Sequence, residues 1–138
     1  MKRRTPVSEI MTKDIIALNR SDDLERAEML FKRYNIRHMP VVNEESIIGM
    51  LSYTDLLKIS FADVTEDNHN INAVVYNMFS IEQVMTKTPI CVSPNTTIRE
   101  VAEILAESEF HALPVVDKDT LVGIVTTTDL INYLLKQF

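Results

Sequence analysis

The chain has 138 residues, 46 % apolar and 25 % charged, an ordinary globular balance with enough apolar material for a core that needs no disulfide or metal staple. Twenty acidic against fourteen basic residues leave a net charge of −6, which argues against a nucleic-acid partner, whose usual docking face is basic. One cysteine excludes an internal disulfide framework and a multi-cysteine zinc site.

No apolar run approaches the ~20 residues that span a bilayer. Lys2, Arg3 and Arg4 begin like a signal peptide, but no apolar segment follows them. These features predict a soluble, cytoplasmic protein without a membrane partner.

Taken in chain order, Ile15-Ile16-Ala17-Leu18 suits a short buried strand. Ser21-Asp22-Asp23 supplies helix N-cap types, and Leu24, Ala27, Leu30, Phe31 and Tyr34 then share one helical face. Met39-Pro40-Val41-Val42 reads as a second strand, with proline expected at a strand start or edge. Asn43 to Ser46 is a turn, and Ile47 to Leu51 returns as the second arm of a hairpin. A closing helix starts near Thr54-Asp55. Asp63 to Asn70 is polar and loop-like, and Ile71 to Phe79 suits a short helix. This joining segment reads either as a linker continuing the closing helix or as a partner-facing element.

The same series then repeats. The chain has two glycines, Gly49 and Gly123, 74 residues apart, and a slide by that offset aligns much else without a gap. Met11-Thr12-Lys13 meets Met85-Thr86-Lys87, Pro40-Val41-Val42 meets Pro114-Val115-Val116, and Thr54-Asp55-Leu56 meets Thr128-Asp129-Leu130. Positions 11–57 hold eleven identities, where chance gives about three. The second copy carries Ile90-Cys91-Val92 as its first strand, Asn95-Thr96-Thr97 as its cap, and Ile98, Val101, Ala102, Leu105 and Ser108 as its helical face. A unit this short buries its apolar face poorly alone, so two are expected to pack together. The predicted fold is mixed α/β, two pseudo-symmetric β-α-β-β-α units, with boundaries at 1–62, 63–79 (linker) and 80–138.

Each half resembles a CBS domain, and the tandem resembles a Bateman module. The likeness rests on the opening Met-Thr, the apolar-Pro-Val-Val strand, and the Gly-x-x-[Ser/Thr]-x-Thr-Asp closure at Gly49 to Asp55 and Gly123 to Asp129. It covers roughly residues 5–60 and 79–138. CBS pairs are often appended to enzymes, channels or transporters, and this chain is expected to stand alone. The resemblance implies a non-enzymatic regulatory, energy-sensing module for an adenine nucleotide (AMP, ADP or ATP), with no cofactor or metal, signalling to an unknown partner. It also implies a homodimer through the closing helices, for which Leu56, Leu57, Ile59, Leu130, Ile131, Tyr133, Leu134 and Leu135 supply apolar surface.

The closure makes physical sense as a ribose-phosphate grip. An ionised carboxylate where a strand turns into a helix can accept from both ribose hydroxyls, and the first helical turn offers free N–H groups to phosphate. Asp55 and Asp129 are the acids, with hydroxyls from Ser52, Thr54, Thr126 and Thr128. Equally, they read as plain helix caps, and the two roles are compatible.

The resemblance implies an adenine slot from Thr12, Ala17 and Ile36 combined with Ile124, Thr126, Thr128 and Asp129. A twin slot would take Thr86, Cys91 and Phe110 combined with Met50, Ser52, Thr54 and Asp55. Phe110 either stacks on the ring or fills core. Cys91 is either slot wall or a small buried hydrophobe. Family members often carry cations just before the shared proline. Here those positions hold Arg37 and His38, against His111 and Ala112, an asymmetry that predicts inequivalent sites, unless these are only solvated loops. Met29, Met39, Met50 and Met78 read as core or interface filler, and His69 as solvated. The rival readings are another adenosyl ligand, such as S-adenosylmethionine or a dinucleotide, and a ligand-free interaction module.

Overall fold

The computed structural model describes residues 4–62 and 78–138. The expected linker lies outside them except for its last two residues, as does His69. By contact the chain divides into two compact units. One comprises Ile16–Glu44 and Ile48–Thr88, the other Met1–Ile15, Glu45–Ile47 and Pro89–Phe138. Each unit therefore takes its lead-in segment from the other repeat.

In the first-named unit, β1 (Leu18–Asn19) pairs in parallel with β2 (His38–Asn43), and β3 (Ser46–Ser52) follows β2 in the sheet. β4 (Thr86–Lys87), arriving from the lead-in of the second repeat, adds antiparallel to β3, with Gly49 opposite Lys87 and Met50 opposite Thr86. The sheet order is β1-β2-β3-β4. Helix α1 (Leu24–Tyr34) starts where Asp23 accepts the Arg26 N–H at 2.8 Å, and ends at left-handed Asn35. Its buried stripe is Leu24, Ala27, Leu30 and Phe31. Tyr34, expected on that face, is 46 % exposed at the last helical residue, with the Arg33 guanidinium 5.6 Å over its ring. Helix α2 (Tyr53–Ala62) is the closing helix. The short α3 (Ile81–Val84) opens on a reciprocal Ser80–Gln83 capping box.

The other unit repeats the plan. Helix α4 (Ile98–Glu107) is capped by Thr97 and buries Ile98, Val101 and Leu105. Ser108 is not part of its face but the residue at its C-terminal cap. β5 (Ala112–Asp117) and β6 (Thr120–Thr126) form a hairpin. Its two turn residues, Lys118 and Asp119, both have positive φ (49° and 68°), as the hairpin twist demands. The closing helix α5 (Thr127–Leu135) follows.

Two sequence expectations are corrected, on strand length and on Leu56, and of the two alternatives for proline the edge is the one taken. The first strands are shorter than predicted: Ile15 to Ala17 is not strand, and in the second repeat a single parallel bridge, Val92 to Val115, replaces the strand. Pro89 and Pro94 flank that segment and offer no N–H to lengthen the ladder. Pro40 and Pro114 stand third in their strands, not first. Val116 N donates to Val92 O at 2.8 Å and Val92 N to Pro114 O at 3.0 Å. Alternate residues face the same side, so the missing N–H of Pro114 points to the sparsely bridged flank and not into the hairpin. Leu56 is fully buried, so it supplies no outer surface. Of the methionines, Met39 and Met50 are buried but Met29 and Met78 are exposed.

Both glycines have the same cause. A Cβ on Gly123 would sit 2.6 Å from Met11 Sδ and 3.1 Å from the Thr12 carbonyl, and one on Gly49 would collide with Met85 Sδ. The methionine of each Met-Thr pair thus lies across the glycine of the other repeat's hairpin. Gly49→Ala and Gly123→Ala should each cost about 1–3 kcal/mol by overpacking. Gly49→Ala should cost less in a Met85→Ala background, because the two groups share one space. Urea denaturation of the four proteins measures this; an additive pair would refute the shared-space account.

Candidate functional site

The predicted site residues gather at the mouths of the closing helices, one in each unit. At the α5 mouth, Thr126 accepts the Asp129 N–H at 3.1 Å while Asp129 Oδ2 accepts the Thr126 N–H at 3.0 Å. This reciprocal capping box fixes the half-buried acid in the first turn. Thr12 is brought to the same place by the lead-in segment. Its N–H donates to Ile124 O at 2.8 Å and its carbonyl accepts the Ile124 N–H at 3.0 Å. From there Thr12 Oγ1 lies 3.4 Å from both Asp129 carboxylate oxygens. The His111 carbonyl accepts the Thr127 N–H at 2.9 Å, so the strand-leading loop is tied to the first residue of α5. Thr12, His111, Ile124, Thr126, Thr128 and Asp129 therefore belong to one unit, with Thr128 exposed.

The α2 mouth follows the same rules. Ser52 accepts the Asp55 N–H at 3.0 Å. The Arg37 carbonyl accepts the Tyr53 N–H at 2.8 Å, and the Tyr53 ring packs on Phe31 with centroids 5.3 Å apart, fixing the helix start against α1. Thr86 stands opposite Met50 in the β3–β4 ladder, the counterpart of Thr12 opposite Ile124. Asp55 is half-buried, Thr54 and Arg37 are exposed, and His38 is the half-buried first residue of β2.

The arrangement sorts the cations in a way the sequence did not show. Arg37 goes with the Asp55 mouth and His111 with the Asp129 mouth, through equivalent carbonyl-to-helix hydrogen bonds. Met11 and Met85 were also missed as site-builders. The available signal was their shared offset from Thr12 and Thr86, but their partners across the repeat are set by packing.

The remaining expected residues are not brought to these clusters within a unit. Ala17 and Ile36, assigned with Asp129, belong to the other compact unit, as Cys91 and Phe110 do relative to Asp55. Ala17 is half-buried, and Ile36 packs against the core of Leu18, Phe31 and Leu51. Phe110 is 38 % exposed, which removes the core reading. Cys91 is exposed rather than a buried hydrophobe, because the extended segment after Pro89 turns its thiol outward toward the Pro89 carbonyl at 3.4 Å. Partial desolvation pushes that thiol above its ordinary value, away from the reactive thiolate.

Chemically, each mouth offers an acid with spare lone pairs, short hydroxyls, and the N-terminal amides of a helix. This suits a polyol bearing an anionic group. Among the described residues, no three His, Cys, Asp or Glu side chains gather as a metal site, and no helix is long and apolar enough to cross a membrane.

Comparison with known proteins agrees with this architecture. The CBS domain model matches twice, at residues 7–62 and 81–136. The uncharacterized protein MJ1225 of Methanocaldococcus jannaschii is 30 % identical over 130 residues, and the chain spans 94 % of itself but only 42 % of that relative's length. Among solved structures, CBSX2 in complex with AMP superposes with a TM-score of 0.80 at 23 % identity, covering 96 % of this chain and 98 % of that one. The CBS domain pair of protein MJ0100, in complex with 5′-methylthioadenosine and S-adenosyl-L-methionine, superposes with a TM-score of 0.76 at 25 % identity, covering 94 % and 99 %. With two matched copies spread over most of its length, each completed by a lead-in from the other, this chain belongs to the CBS domain family.

Proposed function

We propose that this chain is a regulatory module that binds an adenosyl ligand at the closing-helix mouths and reports it to a regulated protein by a conformational change, without a catalytic step of its own. The observation that carries this reading is the recurrence of one set, an aspartate in the first helical turn with a short hydroxyl capping it, at the same place in both units. Structural capping alone accounts for one hydroxyl and one acid. It does not account for the Thr12 hydroxyl before Asp129.

Within that class, an adenine nucleotide such as AMP, ADP or ATP is the first choice, because Arg37 at the α2 mouth is permanently charged and forks onto phosphate. The Asp129 mouth carries His111 in its place, so the two are inequivalent. A second reading, an adenosyl ligand without phosphate, is favoured by the likeness to the MJ0100 pair with its two sulfur-bearing adenosyl compounds. The strip of Ile131, Leu134 and Leu135 on α5, between 44 and 64 % exposed, supports a homodimer through the closing helices.

A thermal-shift series with AMP, ADP, ATP, adenosine and S-adenosylmethionine tests the ligand. At a hundred times Kd, native-state binding adds about 2.7 kcal/mol, several degrees of Tm for a chain of this size. Asp55→Ala and Asp129→Ala should each diminish that rise relative to their own ligand-free Tm. Absence of any shift, or full shifts in both variants, would leave a ligand-free interaction module. Light scattering should give twice the chain mass, and Leu134→Glu with Leu135→Glu should halve it; a monomeric parent protein contradicts the dimer.

A further inference from the structure

Asp129 differs from its counterpart in what it already holds. Its Oδ2 serves the capping box, and the Thr12 hydroxyl stands 3.4 Å from each carboxylate oxygen. Thr12 therefore sits in front of the carboxylate, facing both oxygens at once. A vicinal diol needs that position to donate one hydrogen bond to each oxygen. At 3.4 Å the two contacts are longer than the ~2.7–2.8 Å of an ordinary O–H···O bond, so the hydroxyl is shared between two acceptors and held weakly.

Thr12 is exposed, and its backbone is pinned by the paired hydrogen bonds to Ile124. Its side chain can thus leave without moving the strand. Among the described residues, no donor stands in this way before Asp55, whose counterpart Thr86 meets Met50 through the backbone ladder only.

We infer that Thr12 is an intramolecular latch on Asp129, occupying the diol position in the ligand-free protein and giving it up by rotation when a ribose arrives. This rests on the adenosyl-ligand reading and adds to it a specificity residue. The latch sets a threshold: a ligand offering two adjacent hydroxyls replaces both shared contacts, whereas a ligand offering one replaces them only in part. The α5 mouth therefore discriminates ribose from deoxyribose more sharply than the α2 mouth, and fills at higher concentration.

The test uses the full chain carrying Asp55→Ala, so that calorimetry reports the α5 mouth, with AMP and 2′-deoxy-AMP as probes. Thr12→Val keeps the β-branch and the backbone bonds to Ile124 but removes the donor. It should tighten AMP several-fold, tighten 2′-deoxy-AMP more, so that the two are less sharply distinguished, and leave Tm without ligand nearly unchanged. Thr12→Ser, which restores the hydroxyl, should bind as the parent does. In the parent, three-bond couplings of Thr12 should show χ1 changing on AMP addition. Equal or weaker AMP binding by Thr12→Val, or an unchanged χ1, overturns the latch and makes Thr12 a direct ligand contact or a bystander. Failure of AMP and adenosine to bind the chain with Asp55 intact sinks the adenosyl-ligand reading itself, and the latch with it.

Discussion

A thioether lying across a glycine is the contact on which the rest of this structure depends. Met11 occupies the space where Gly123 would carry a Cβ, and Met85 does the same at Gly49. A flexible thioether fills such a shallow, irregular gap well, and only a residue without a side chain lets the lead-in backbone come close enough to bond to the hairpin. Once it does, Thr12 joins Ile124 in an antiparallel bridge and Thr86 joins Met50 in a ladder. The site residue next in sequence to each methionine is placed by the same contact that completes each sheet. Packing, strand pairing and site assembly are one event here, which explains why the Met-Thr pair and the glycine recur at a single fixed offset.

The closing helices show how a structural device becomes a chemical one. A helix start leaves N–H groups without partners, and Thr126 and Ser52 each satisfy one of them while holding an aspartate in the first turn. Each acid is favourably placed beside the positive end of its helix, and Asp129 spends only part of its acceptor capacity on the cap. The Asp129 carboxylate, locked by its cap, is thereby a fixed acceptor and not a mobile side chain.

Near-symmetry makes the departures informative. The two mouths share the hydroxyl that caps the aspartate N–H and the carbonyl tie to the helix start, yet Arg37 stands where the other has His111, and the Thr12 hydroxyl faces the Asp129 carboxylate. The permanent charge of arginine holds at every physiological pH, while histidine contributes charge only when protonated. The internal duplication keeps its scaffold while varying its cations and donors.

The repeat, the β-α-β-β-α order, the caps at Asp23 and Thr97, the hairpins and the closing acids were all legible in the sequence, because each is written in local spacing: a helical or strand period, a turn composition, or a capping type three residues ahead of its partner. The lengths of the first strands, the exposure of Tyr34, Cys91 and Phe110, and the burial of Leu56 were not. They are set by what packs alongside, and a short apolar run reads the same whether it is given a neighbour or left at an edge. The grouping of Thr12 with Asp129 and of Thr86 with Asp55 came from the family resemblance; tertiary structure alone decided that each lead-in pairs with the other repeat's hairpin through its backbone, that Arg37 is tied to α2 and His111 to α5, and that the Thr12 hydroxyl faces both Asp129 oxygens. Those pairings join residues far apart in the chain, and a one-dimensional pattern carries periodicity and offset but not the choice between two equivalent partners. That choice is made only when the methionine finds the glycine with room to receive it.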